Sequence, residues 1–263
     1  MFAIIDGDRG AGKTGLLIAL ANEAAFNFER NSLMRAEIRS RNKKGFNLTV
    51  PLHAVAVSPN LAEARFQKAF AYTRKPRIID PLRLGNQMLA PEGLKCHYTL
   101  PYETIIIDEA QAYFYAKSKG LDKYQLDYFD RSRHNDLDIY MATTSAMRIH
   151  KDLRRLATFW HIKDRKVIYK RDGSAETRWE YDEYGPSETS VEDYNAGNIE
   201  FKKKVFTVPY DIFTLYNAKA NRPMFILGHE DEDFDLNYPE DVDLQTPEDY
   251  KRYGANFINN RGE

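Results

Sequence analysis

Gly7-Asp8-Arg9-Gly10-Ala11-Gly12-Lys13-Thr14, followed by Gly15, fits the pattern G-x-x-x-x-G-K-[ST]. The pattern needs these residue types for physical reasons. Glycine lets the backbone curl until successive N–H groups point inward at phosphate oxygens. The N-terminus of a following helix adds partial positive charge. The Lys13 ammonium can reach β- and γ-phosphates, and the Thr14 hydroxyl can ligate Mg²⁺. Residues 7–15 are therefore the candidate nucleotide-binding set. The plain alternative is a glycine turn that binds nothing. The context favours phosphate binding: an apolar run at 2–6 precedes the loop, and Leu16, Leu17, Leu20, Ala24 and Phe28 follow at helical spacing.

A second feature completes such a site. Ile105-Ile106-Ile107-Asp108-Glu109 reads as a buried strand ending in two acids, which fits a Walker B strand. Asp108 is the candidate Mg²⁺ ligand, acting through the ion's water shell together with Thr14. Glu109 is placed to orient or deprotonate an attacking water. Alone, the pair is a weak signal, since acidic helix starts are common. Joined to the glycine loop, the doubled acid points to hydrolysis rather than transfer to a small molecule. ATP and Mg²⁺ are the expected substrate and cofactor.

Weaker candidates surround these. Thr143, Thr144 and Ser145 close another strand, where Thr144 can sense a γ-phosphate or the hydroxyls can cap the next helix. Arg131, Arg133, Arg154 and Arg155 are candidates for an arginine finger that reaches a neighbouring subunit. Arg133 is the first choice and Arg155 the second, against the plain reading of solvated helix faces. His134, His150 and His161 show no metal-ligand spacing and read as structural or surface residues. The aromatic residues between Tyr113 and Phe129 can stack on bases, but packing of helices onto a sheet is the simpler role.

Strands are expected at 2–6, 53–58, 77–80, 104–108 and 138–144. Helices are expected at 13–29, at about 61–72 after an Asn60 cap, in stretches up to Arg133, and at about 147–158. Strands alternating with helices predict an α/β fold with a mainly parallel sheet flanked by helices. Residues 159–184 read as a β-hairpin turning at Asp172-Gly173-Ser174, an appendage to the main domain. Residues 185–198 read as a loop, and Lys202-Lys203-Lys204 stand beside Val205 and Phe206. The expected division is an ATPase domain over 1–218 and an acidic, loosely ordered tail over 219–263.

Composition sets outer limits. The 263 residues carry a net charge of -1, which excludes a uniformly basic nucleic-acid binder but not a local basic patch. The single cysteine, Cys96, can build neither a disulfide framework nor a thiolate metal site. No apolar run approaches the ~20 residues of a membrane-spanning helix, so the chain is expected not to span a bilayer.

The glycine loop, the Ile-Asp-Glu-Ala strand end, Ser132-Arg133-His134 and Leu137-Asp138-Ile139-Tyr140 resemble the zonular occludens toxin (Zot) family. So do Ile149-His150-Lys151-Asp152-Leu153-Arg154-Arg155-Leu156 and the closing segment from Pro209 to Tyr216. The resemblance covers residues 1–218. It implies a RecA-like core of the FtsK–HerA kind, working as a homo-oligomeric ring. It also implies a filamentous-phage assembly ATPase that drives virion assembly and export of single-stranded DNA. The expected partners are phage DNA and other phage assembly or coat proteins, in the host cytoplasm or at the cytoplasmic face of the inner membrane. The family often carries Gln where Thr144 stands, and its members usually continue into a transmembrane helix. Two other functions compete with the motor: a P-loop small-molecule kinase, and a nucleotide-gated assembly scaffold with little turnover.

Overall fold

A computed structural model describes residues 1–45, 55–62, 76–85, 102–117, 121–186 and 189–214, the side chains of Arg133 and Asn135 excepted. The elements in chain order are β1 Phe2–Gly7, α1 Lys13–Ala25, α2 Phe28–Lys43, β2 Val55–Val57, β3 Arg77–Ile78, β4 Thr104–Ile107 and α3 Lys123–Asp130. They continue with β5 Asp138–Ala142, α4 Lys151–Arg154, β6 Thr158–Tyr169, β7 Ala175–Tyr184, α5 Ser190–Asn195 and β8 Lys202–Val208. The strands form one sheet in the order β3-β2-β4-β5-β1-β6-β7-β8. All pairings from β3 across to β6 are parallel, and β7 and β8 add to that edge antiparallel. The fold is therefore α/β with a mainly parallel sheet flanked by helices.

β1 is buried along its whole length because both faces of the sheet are covered. Its alternate residues feed two separate cores. Ala3 and Ile5 pack with Leu16, Leu17 and Leu20 of α1, together with Ile106, Trp160 and Trp179. Phe2 and Ile4 face the other way, into Ile105, Ile107, Phe114, Tyr128, Phe129 and Phe159. Phe114, Tyr128 and Phe129 thus take the packing role expected of them, while Tyr115 and Tyr124 are exposed.

Several boundaries differ from expectation, each for an identifiable reason. The helix expected over 13–29 breaks after Ala25, because the Asn27 side chain accepts from Arg30 N at 2.9 Å and starts α2. The helix expected over 147–158 shrinks to α4, because Phe159, Trp160 and Ile162 are drawn into a strand beside β1. The register there runs from Ala3 opposite Thr158 to Gly7 opposite Ile162. The hairpin over 159–184 forms as β6 and β7, but β6 is a member of the central sheet and not an appendage to it. The loop expected over 185–198 contains the short helix α5. Asn60 lies inside a 3-10 turn at Pro59–Leu61 instead of capping a helix. Most of the 61–72 helix, Cys96 and the 219–263 tail lie outside the described residues. Among the described residues, no helix is long and apolar enough to cross a membrane.

Phe129 is 1% exposed and packs against Phe2, Phe114 and Tyr128 at ring separations of 5.3, 5.6 and 5.3 Å. Phe129→Ala should lower unfolding free energy by about 3–5 kcal/mol, read from denaturant titration.

Candidate functional site

The glycine loop follows β1 at the C-terminal end of the sheet and leads directly into α1. Gly12 caps the helix with φ 82°, and Leu16 N donates to its carbonyl at 2.9 Å. That backbone region disfavours any side chain, and the surroundings leave no room for one. A Cβ at Gly12 would lie 2.8 Å from Arg165 Cδ, 3.1 Å from Trp179 Nε1 and 3.2 Å from Phe213 Cζ. Trp179 Nε1 also donates to Gly12 O at 3.2 Å. The loop is thus braced from outside by β6, β7 and the segment after β8.

Lys13 Nζ donates to Gly7 O at 2.7 Å and Asp8 O at 2.9 Å, so its ammonium closes the loop from within. Burial pushes its pKa below the ordinary lysine value, while Asp6, Asp108 and Asp8 push it back up. The Thr14 hydroxyl donates to Asp108 Oδ2 at 2.9 Å, so two side chains 94 positions apart meet. This is a pair of hard oxygens of the kind Mg²⁺ prefers, and that ion keeps several waters and needs few protein ligands. The donor set fits Mg²⁺, with Thr14 and Asp108 as the residues that would hold it. Among the described residues, no group of three or more His, Cys, Asp or Glu that could hold a metal is found.

Asp108 is itself fixed from three directions. Its backbone N–H donates to Ser58 Oγ at 3.1 Å, its carbonyl accepts from Asn60 Nδ2 at 3.1 Å, and its Oδ1 accepts from Glu109 N at 2.9 Å. Ser58 and Asn60 come from the end of β2, the strand beside β4. Glu109 has φ 51° and ψ 44°, a left-handed backbone that non-glycine residues seldom adopt. Strain of this type persists only where the surroundings over-determine it, and it gathers at functional sites.

On the other flank, Asp6 is buried at the end of β1. Its Oδ2 accepts from Ala146 N at 3.0 Å, and its Oδ1 lies 2.9 Å from His161 Nδ1. The loop after β5 is tied down by this contact and by Thr143 N donating to Ile5 O at 3.0 Å. Thr143 Oγ1 donates to Ser145 O at 3.0 Å in a local turn, and Thr144 is exposed at the end of β5. His161, read from sequence as structural or surface, is the partner of Asp6.

The arginine candidates are scattered. Arg131 pairs with Asp127 at 2.7 Å, Arg154 with Glu192 at 3.2 Å, and Arg155 lies 3.6 Å from Asp152. Arg133 belongs to a turn at Ser132–Asn135 that precedes β5, hence at the strand end away from the glycine loop. The structure brings together Gly7, Lys13, Thr14, Asp108 and Glu109 and leaves the arginines apart from them. It adds Asp6, Ser58, Asn60, His161, Arg165, Trp179 and Phe213, which sequence reading missed. Asp6 alone carried a local signal, as an acid at the end of a buried run. The others reach the site only through sheet order.

A family model described as zonular occludens toxin (Zot) matches residues 1–222. Among solved structures, the chain is similar to the N-terminal domain of zonular occludens toxin from Neisseria meningitidis. That match has 16% identity and a TM-score of 0.45, over 82% of this chain and 97% of the other. It is also similar to the genome packaging NTPase B204 from Sulfolobus turreted icosahedral virus 2. The AMPPCP complex of that protein gives 12% identity and a TM-score of 0.36, over 63% of this chain and 75% of the other. The ATP-gammaS complex gives 14% and 0.35, over 62% and 75%. No curated protein matches the sequence.

Gly12→Ala should lower the thermal unfolding midpoint by more than Gly173→Ala. Both glycines have φ 82°, but Gly173, at the hairpin turn, has nothing within 4 Å of an added Cβ. Both substitutions bear the left-handed cost of about 1–2 kcal/mol, so the difference isolates the contact of Gly12 with Arg165, Trp179 and Phe213. Equal midpoints would show that those three residues yield freely.

Proposed function

The chain belongs to the zonular occludens toxin (Zot) family, and from that membership we propose that it is an ATP-hydrolysing motor for phage virion assembly and DNA export or packaging. The observation that carries this reading is the 2.9 Å bond between Thr14 and Asp108, which joins the glycine loop to the acidic strand end. In the proposed reaction, the backbone N–H groups of residues 7–15 cradle the phosphates. Lys13 gives up its bonds to Gly7 O and Asp8 O and turns to the β- and γ-phosphates. Thr14 and Asp108 would hold Mg²⁺, which when bound would neutralise charge on the phosphate oxygens. Glu109 orients a water and accepts its proton as the oxygen attacks the γ-phosphorus. The bond from that phosphorus to the bridging oxygen breaks, and ADP and phosphate leave. Thr144, exposed at the end of β5, is the proposed contact for the γ-phosphate or the water.

The working form proposed is a homo-oligomeric ring acting on phage DNA, single-stranded in the export reading. Its further partners are other assembly or coat proteins, and its location is the host cytoplasm or the cytoplasmic face of the inner membrane. A ring sets a neighbour's side chains beside each nucleotide. Lys13 reaches the γ-phosphate from the side of its own loop, and an arginine from a neighbour would stabilise the transition state from the other. Arg133 is the proposed finger, on a turn at the far end of β5 where a neighbour's nucleotide can meet it.

Three substitutions test this. Lys13→Ala should abolish phosphate release, through loss of charge-assisted contacts worth several kcal/mol, roughly, at the transition state. Turnover near that of the unaltered protein would remove the phosphate-loop assignment. Glu109→Gln should bind ATP with unchanged affinity yet stall turnover, because an amide takes no proton from water; loss of binding instead would make Glu109 a structural residue. Arg133→Ala should bind ATP and hydrolyse it poorly, and mixing it with Lys13→Ala should restore some activity. Mixtures no more active than either variant alone would exclude Arg133 as the finger. Phosphorylated small-molecule product in place of free phosphate would favour the kinase reading.

A further inference from the structure

The phosphates and the base lie at opposite ends of a nucleotide, so a loop that holds the phosphates also fixes the side on which the base emerges. Here the two sides of β1 are chemically different. β5 and β4 stand on one side, β6 and β7 on the other. Asp108 comes from the end of β4 and is bonded to Thr14, which places the γ-phosphate chemistry on the β4 side. A triphosphate seated that way directs its nucleoside toward β6.

Arg165, Trp179 and Phe213 stand there, all within 3.2 Å of where a Cβ on Gly12 would lie. The Arg165 guanidinium carbon sits over the Phe213 ring, 4.3 Å from its centroid. Arg165 is exposed and Phe213 half-buried, so the pair borders solvent beside the loop. It is also held rigidly. Phe213 N donates to Asp211 Oδ1 at 2.9 Å, and Asp211 Oδ2 accepts from the Tyr169 hydroxyl at 2.6 Å. Trp179 is fully buried and spends its N–H on Gly12 O, so it backs the pair and leaves contact with a ligand to the other two.

We infer that Arg165 and Phe213 form the seat of the nucleotide's base, which stacks on the guanidinium–aromatic pair. The inference rests on the reading of residues 7–15 as the phosphate loop and deepens it. Planar guanidinium and aromatic faces are the groups proteins use to stack bases. Stacking reads the face of a base and not its edge, and every base has such a face. The seat therefore recognises that a base is present more than which base it is.

Isothermal titration with Mg²⁺ and either ATPγS or inorganic tripolyphosphate separates the two halves of the site. Arg165→Ala, Arg165→Lys and Phe213→Leu should each weaken ATPγS by about tenfold and leave tripolyphosphate within about twofold. Arg165→Lys should be as weak as Arg165→Ala, since an ammonium keeps the charge and loses the plane. GTPγS should bind the unaltered protein within about tenfold of ATPγS. Equal loss of both ligands in the Arg165 variants would make Arg165 a phosphate contact and overturn the seat. ATPγS affinity unchanged in all three variants, with the unaltered protein binding normally, would overturn the seat alone. An unaltered protein that binds neither ligand would overturn the phosphate-loop reading and the seat with it. Arg165→Lys alters an exposed residue, so it carries the test even where Phe213→Leu unfolds.

Discussion

The structure depends on the parallel pairing that sets β1 between β5 and β6. Ile5 lies opposite both Ala142 and Trp160, so β1 and β5 end close together at one edge of the sheet, while β6 runs on past Ile162 to Tyr169. With β1 buried on both faces, a one-residue register slip would turn Phe2 and Ile4 into the core that Ala3 and Ile5 fill. Fixing β1 fixes Gly7, and Gly7 is hemmed in by Ile162, whose carbonyl would lie 2.9 Å from any Cβ placed there. The loop's position is therefore a consequence of sheet packing. Its internal bonds set only its curvature.

Around that point the polar groups divide between the flanks. On the β4 side, Ser58 and Asn60 grip the backbone of Asp108 and leave its Oδ2 to Thr14. Asp6, on β1 itself, uses one oxygen on Ala146 N after β5 and keeps the other beside His161 of β6. Each carboxylate thus has one oxygen committed to the backbone of the protein, since Asp108 Oδ1 accepts from Glu109 N. Buried carboxylates need this: an ion removed from water is tolerated only when fixed donors replace its hydration. Lys13, between the two acids, is desolvated but electrostatically supported from both sides.

The glycine loop, the apolar strand leading to Asp108 and Glu109, and the strands beside them were legible because each is a local pattern. Composition at fixed spacing requires no knowledge of neighbours. The second tier was not legible for the opposite reason. Ser58 and Asn60 matter because β2 lies next to β4, and Arg165, Trp179 and Phe213 matter because β6 lies next to β1. Residues 147–158 carry a helical pattern, yet Thr158 onward becomes strand because Phe159 and Trp160 fill positions beside Ile4 and Ile5. Tertiary burial outweighed local spacing there. The hairpin turn at residues 172–174 was readable, since Asp172 accepts from Ser174 N at 2.9 Å in a purely local contact. That β6 joins the central sheet was not, because nothing within the hairpin specifies its partner.

The brace on Gly12 follows from the same sheet order and ties the loop to the far end of the described chain. The Thr177 hydroxyl of β7 donates to Tyr210 O and accepts from Ile212 N, at 2.5 and 3.1 Å. Thr177 is fully buried, so the 209–214 segment is held by two hydrogen bonds that are shielded from water, where such bonds are electrostatically stronger. Phe213 is carried on that clamped segment and reaches Gly12. Residues 177, 179 and 213 thus form a short rigid path from the glycine loop to Thr214. A shift of the loop by a few tenths of an ångström meets side chains already in contact, and close-packed contacts pass displacement on instead of absorbing it. The same tightness makes glycine at position 12 a packing requirement as much as a conformational one.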